Sequence, residues 1–356
     1  MEVSVLYEQY NIYFCSAHEI QELKSFIHSY WKNNHSLAVS QLLMDWQYHC
    51  KENNSYNFVI ARHNTSHEIH GILGFIPTRH FDSSMNGDNF WLSIWKIRED
   101  VKVAGLGLFL HEFLNINKKP QSICAIGLSA QVIPIYKLMG YKVGVLNHYY
   151  LVNRAIKDFK LIDHFDGKHD VIDAISNVEK KFHHYGKPDF YQLMQKDIPF
   201  TPSPQTPYKS PHYFFKRYCC HPIYTYHIYG VMDQHCLRGL LVIRRVSHDH
   251  NYALRVIDYF GNPVDLIGTL DAFQYLLKIH SAEYVDFYNT GIEEKIFNAI
   301  GFIKREKTSK IIIPNFFEPF EKKNIDLDFA YQSNAGENFV IFKGDSDQDR
   351  PNLIQQ

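Results

Sequence analysis

The sequence predicts a mixed α/β protein built from two similar domains in tandem. Three observations carry this. The order of strand-like and helix-like segments in residues 1–155 recurs in residues 156–356, a period of about 155 residues. The length, 356 residues, is that of two ordinary domains. Each half also contains a helix that ends on glycine after an aromatic residue at the same offset: Tyr136 before Gly140, and Phe297 before Gly301.

In the first half, residues 11–16 form an apolar strand-like stretch, and residues 17–31 carry apolar positions at helical spacing. Residues 36–50 predict a second helix. Residues 56–62 and 69–77 read as strands joined by the polar connection HNTSHE, and residues 90–97 as a third. Residues 105–119 predict an amphipathic helix opening on glycines, 122–129 a short buried strand, 130–140 a helix, and 141–153 a closing strand pair. The boundary is expected near residues 154–158, giving domains 1–155 and 156–356.

The second half repeats the order. Residues 159–165 predict a strand and 168–182 a helix, followed by a Pro-rich irregular loop at 199–211. Strands are expected at 224–233, 238–246, 252–260 and 282–289, helices at 268–280 and 292–302, and a late strand at 339–344. Residues 345–356 have the composition of an exposed tail.

Composition narrows the function. Apolar residues make up 45% and charged residues 21%, with a net charge of −1, so nothing favours nucleic acid or acidic lipid as a partner. No segment approaches the ~18 apolar residues of a membrane span, and the first residues lack a charged-then-apolar leader pattern. A cytoplasmic protein without membrane insertion is expected. The six cysteines have no C-x-x-C spacing, so neither a zinc site nor a disulfide framework is expected. Aromatics reach 15%, which suits stacking on a base or sugar as well as an ordinary core.

The most informative segment is Lys102-Val103-Ala104-Gly105-Leu106-Gly107, which follows a strand and opens a helix. Glycines there let the backbone approach a ligand closely. The helix N-terminus then offers unpaired N–H groups and the positive end of its dipole to a phosphate. A turn eased by glycine, with no ligand, has the same local sequence. Some 30 residues on stands Ile135-Tyr136-Lys137-Leu138-Met139-Gly140-Tyr141. Taken together, the two segments resemble the GCN5-related N-acetyltransferase (GNAT) family, whose motif is Q/R-x-x-G-x-G/A after the fourth strand. Lys102 stands where that family usually has Gln or Arg. The resemblance covers nearly all of residues 1–155 in element order.

The resemblance implies an acyl-CoA co-substrate, acetyl-CoA or a hydroxyacyl-CoA, and no metal. The backbone of Lys102, Val103, Ala104, Gly105, Leu106, Gly107 and Leu108 would hold the pyrophosphate, and Ile97 would pair with the pantetheine arm. Tyr136 would protonate the departing thiolate. Family members commonly place a carboxylate on or near the fourth strand to deprotonate the amine. Residues 90–95 carry none, leaving Ser93 at the strand's centre and Ser84 and Asp88 in the preceding loop to orient it. The second half has Phe297 in place of Tyr136 and GNPVDLI in place of the glycine loop. It therefore reads as a GNAT-like domain without a coenzyme site, shaping the acceptor pocket or stabilising the pair.

The whole chain also resembles the tandem-GNAT sugar N-acyltransferases of surface-polysaccharide (O-antigen, lipopolysaccharide) biosynthesis. The example is the enzyme acylating dTDP-4-amino-4,6-dideoxyglucose on the way to anthrose. That likeness implies a nucleotide-linked, dTDP-type amino sugar as acceptor, with His148, Tyr149, Asn153, Arg217 and Arg350 as candidate contacts. Each of these also fits a structural role. Other readings stay open: an acetyltransferase of an aminoglycoside, small amine or protein lysine; a FemX-type aminoacyl-tRNA-dependent transferase; or a non-catalytic binding module. Unpaired edges in two partial barrels leave room for a homodimer.

Overall fold

A computed structural model of the chain describes residues 8–165, 180–195, 205–334 and 339–352. In chain order the main strands are β1 (Tyr10–Ser16), β2 (Ser55–His63), β3 (Ile69–Pro77), β4 (Asn89–Ile97), β5 (Ser122–Ile126), β6 (Lys142–Val145) and β7 (Asn147–Val152). They continue with β8 (Lys181–Tyr185), β9 (His227–Asp233), β10 (Cys236–His248), β11 (Asn251–Gly261), β12 (Ala282–Thr290), β13 (Ile303–Lys304), β14 (Asp328–Ser333) and β15 (Ile341–Phe342). The main helices are α1 (Ile20–Phe26), α2 (Gln41–Tyr48), α3 (Leu106–Lys118), α4 (Ile133–Leu138), α5 (Leu270–Ile279) and α6 (Glu294–Ala299).

Local chemistry explains the early helices. Glu19 accepts from both the backbone and the hydroxyl of Ser16, closing a capping box at the start of the first helical stretch. The helix expected over 36–50 is two pieces, because the Ser40 hydroxyl accepts from the Leu43 N–H and starts α2 afresh.

The strands form two large mixed sheets. The first runs β1-β2-β3-β4-β5-β14-β6, and the second β13-β7-β12-β11-β10-β9-β8 with β15 beside β12. Two expectations change here. The closing pair over 141–153 does not close one sheet, since β7 pairs with β12 from Asn147↔Asn289 to Val152↔Tyr284. In return β14, from near the end of the chain, sits between β5 and β6. The compact units consequently divide between Lys142 and Val143 rather than near 154–158, and residues 330–334 and 350–352 belong with the first unit.

Residues 159–165 form no strand, only an isolated bridge from Asp163 to Ile312. The helix expected over 168–182 lies largely outside the described residues, and its end is strand β8. The expected exposed tail is not exposed where it is described: residues 345–347 and 351 are buried and 348–350 and 352 half-buried, with Asp345 and Ser346 at 0% exposure. The Asp345 carboxylate lies 2.8 Å from Lys209 Nζ, and Asp349 holds Arg244 at 2.7 Å. Asp345 and Asp349 are thus held inside by opposite charges.

The predicted duplication is visible in backbone detail. Both helix-ending glycines are left-handed, Gly140 at φ 81° and Gly301 at φ 75°. In each half the residue after the glycine donates its N–H to the aromatic residue's carbonyl, Tyr141 to Tyr136 at 3.0 Å and Phe302 to Phe297 at 2.9 Å.

Candidate active site

The first unit's candidate site forms where β4 and β5 part. These parallel strands are in register from Asn89↔Ser122 to Leu92↔Ala125, and the ladder stops there. Residues 93–97 continue along β3 alone, through Trp95↔Leu73 and Ile97↔Gly71. Among the described residues no strand is registered on their other edge.

The glycine loop follows β4 directly. Gly105 is the N-cap of α3 in left-handed geometry, φ 83°, and a Cβ built there would meet nothing within 4 Å. Its glycine is a backbone requirement beside open space. At Gly107 a Cβ would lie 3.3 Å from Trp95 Nε1 and 3.7 Å from Ile97 Cγ1, so this glycine admits the β4 side chains. Leu106, Gly107 and Leu108 form the first turn of a 13-residue helix, where backbone N–H groups have no intrahelical acceptor. Lys102, Ala104, Gly105 and Leu108 are exposed, Val103, Gly107 and Ile97 half-buried, and Leu106 buried. The Lys102 ammonium is folded back onto the Glu99 carbonyl at 2.7 Å.

Tyr136 reaches the same place from α4. Its ring meets Trp95 edge-on at 5.8 Å and Tyr141 at 5.1 Å, and its residue is 2% exposed. The phenol has no hydrogen-bond partner among the described residues. Burial raises its pKa well above the ordinary value, assisted by the nearby Cys124 thiol, so it is a proton-bearing donor at neutral pH. Tyr141 is fixed in turn by His111 Nε2 at 2.7 Å. Desolvation lowers the pKa of that imidazole to about 4, so it is neutral. Gly107, Ile97, Trp95 and Tyr136 are therefore contiguous.

The acceptor-side candidates are more scattered. Ser93 is half-buried, and its Oγ accepts from the Tyr48 hydroxyl at 2.8 Å, itself held by Gln47 Nε2 at 2.9 Å. Asp88 accepts from the Arg79 N–H and the Thr78 hydroxyl, and burial raises its pKa to about 6. Ser84 is exposed, and both its N–H and hydroxyl donate to Asp82 Oδ1, closing a local turn. Tyr48, Gln47, Trp95 and His111 went unremarked in the sequence. Tyr48 ends a helix 45 positions before Ser93, and no spacing ties the two.

Four of the five nucleotide-sugar candidates are buried in the second unit. His148 stacks on Tyr288 at 3.9 Å, with Nε2 3.6 Å from the Asp286 carboxylate and Nδ1 accepting from Arg305. Tyr149 stacks on Phe297 at 3.8 Å. Asn153 donates to the Ala282 carbonyl and accepts from the Ala155 N–H. Arg217 donates to the carbonyls of Gly344 and Ser346. Arg350 belongs to the first unit, where burial, joined by the Arg350 charge, lowers the pKa of His35 to about 3.

No family model and no curated protein matches the chain. Solved structures do resemble it. A GCN5-related N-acetyltransferase from Anabaena variabilis ATCC 29413 is 10% identical, with 91% of this chain and 73% of that one covered at TM-score 0.53. A conserved protein from Enterococcus faecalis V583, titled a "Probable N-Acyltransferase", is 7% identical, with 91% and 72% covered at TM-score 0.53. The chain has the GNAT fold.

Within that fold the second unit differs at the corresponding parting of strands. Strands β11 and β12 are in parallel register from Tyr252↔Ala282 to Val256↔Phe287. Beyond that point the chain's own C-terminal segment enters. β15 pairs with β12 at Asn289↔Phe342 and Thr290↔Ile341, and the Gly344 N–H donates to the Ile257 carbonyl of β11 at 2.8 Å. Lys209 fastens the segment, with Nζ 2.8 Å from both Asp258 and Asp345. The space between the strands is filled by protein.

Proposed function

We propose that the first unit is an acyl-CoA-dependent N-acyltransferase and that its acceptor is the amine of a nucleotide-linked amino sugar. One observation carries the coenzyme half of this reading. The unpaired edge of residues 93–97, Gly107 in the first turn of α3 behind the left-handed Gly105, and the unpartnered phenol of Tyr136 adjoin one another around Trp95. The GNAT fold supports it, as does the similarity to an N-acetyltransferase and a probable N-acyltransferase. The acceptor half rests on the sequence resemblance alone.

In the proposed reaction the pyrophosphate lies on the N–H groups of Leu106, Gly107 and Leu108, and the pantetheine arm runs along the free edge of β4 to Ile97. The acceptor amine attacks the thioester carbonyl. The C–N bond forms, the carbonyl oxygen takes up negative charge, and a β4 N–H stabilises it. Collapse breaks the C–S bond, and Tyr136 donates its proton to the sulfur. The amine's surplus proton leaves to Asp88 or to water held at Ser93, and returns from solvent to the tyrosinate. The products are an amide and free coenzyme A.

The test is thiol release from several acyl-CoAs offered with a panel of dTDP- and UDP-amino sugars, aminoglycosides and lysine peptides. Release with an amino-sugar nucleotide supports the full reading. Release only with another amine removes the sugar. No release with any acceptor removes acyl transfer.

A further inference from the structure

The second unit contains a cavity of about 310 Å³ where β9 begins and β10 runs on past it. It is lined by Tyr224, Thr225, His227, Arg244, Arg245 and His280, together with Ile223. No carboxylate is among these residues. Arg244 is a fixed wall, since Asp349 holds its guanidinium at 2.7 and 2.9 Å and its plane lies 4.0 Å over the Tyr224 ring. Arg245 differs. Its guanidinium rests 3.7 Å over the Tyr252 ring and has no carboxylate partner among the described residues.

The remaining polar groups are neutral donors and acceptors. Burial lowers the His227 pKa to about 4, with the charges of His184, His280 and Arg245 adding to it. His280 is lowered by burial, Arg245 and His184. The Tyr229 hydroxyl lies 3.1 Å from His280 Nε2, and His184 Nε2 lies 3.4 Å from His227 Nδ1. A cavity with one uncompensated guanidinium, imidazole N–H groups, a hydroxyl and an aromatic wall matches an anion rich in acceptor oxygens. Its volume is at the small end of ligand sites, the size of a compact phosphate ester rather than a whole coenzyme.

We infer that this cavity binds the phosphoryl end of a small organic phosphate, with Arg245 as the principal cationic contact. The inference is independent of acyl transfer in the first unit. A nucleotide brings an aromatic base to the Tyr224 side, whereas a plain phosphate ester uses the cations and imidazoles alone.

The full chain should be titrated calorimetrically with inorganic pyrophosphate and with dTDP, in parallel with acetyl-CoA. Wild type is expected to bind at least one of the two phosphates, and Arg245→Ala to bind it at least tenfold more weakly. Arg245 is exposed, so the variant should melt as wild type does, and Arg245→Lys should restore part of the affinity. Tighter binding of dTDP than of pyrophosphate identifies a nucleotide, and equal binding identifies the phosphoryl group alone. Acetyl-CoA affinity should be unchanged in Arg245→Ala, which separates this site from the coenzyme loop. Failure of wild type to bind either phosphate, or equal binding by Arg245→Ala, overturns the inference.

Discussion

Tyr136 owes its proposed role to three facts: its ring is buried, its hydroxyl has no partner, and burial keeps its proton on. Tyr136→Phe retains the ring contacts with Trp95 and Tyr141 and removes only the donor. Turnover is expected to fall by about 10²-fold, the size of general acid assistance, with acyl-CoA affinity nearly unchanged. Steady-state kinetics with a coenzyme titration would check it, and unchanged turnover would exclude the acid role. Asp88 allows a prediction with a definite sign. Its folded pKa is raised to about 6, so the folded protein binds that proton more tightly than the unfolded chain does. The contribution to stability is present below the unfolded pKa and is lost as pH rises toward 6 and beyond. Asp88→Asn keeps an acceptor for the Arg79 N–H and should abolish this loss, melting higher than wild type above pH 6. Melting curves from pH 4 to 8 would show it, and parallel curves for the two proteins would refute it.

At the scale of elements, the sequence carried the periodic pieces well and the pairings poorly. The strands over 69–77 and 252–260, the helix after Gly105 and the two glycine-ended helices follow from local patterns of apolar spacing and left-handed glycine. The exchange of β7 and β14 does not, because YKVGVLNHYYLVN alternates in a way that suits either sheet. Partner choice there is a long-range property, set by β12 and β5 rather than by the strand itself. The same limit applies to the site. Gly105 was legible because its backbone needs glycine, whereas Tyr48 behind Ser93 and His111 behind Tyr141 are contacts across distant elements. The C-terminal residues misled for another reason. Asp345, Asp347 and Asp349 have the composition of solvent-exposed chain, and Lys209 and Arg244 offset the burial of Asp345 and Asp349.

For the whole molecule, the two units keep one architecture and differ in what lies between the parted strands. In the second unit Lys209 is central to that difference, being the cation between two buried carboxylates. Lys209→Met would leave Asp258 and Asp345 facing each other without it. The expected loss is about 3–5 kcal/mol, measurable by urea unfolding. A loss below about 1 kcal/mol would show that the segment is held by its strand pairing alone. In the first unit no described strand is registered on the corresponding edge, which lies beside a glycine-capped helix, so one coenzyme is expected per chain. Calorimetric titration of the full chain with acetyl-CoA tests it most directly, comparing wild type with Leu108→Glu. That variant puts a carboxylate on an exposed position of the first turn of α3, where it suits the helix but repels a pyrophosphate. One site per chain is expected in wild type, and binding at least tenfold weaker in Leu108→Glu. Two sites per chain, or an affinity unaffected by Leu108→Glu, would contradict it.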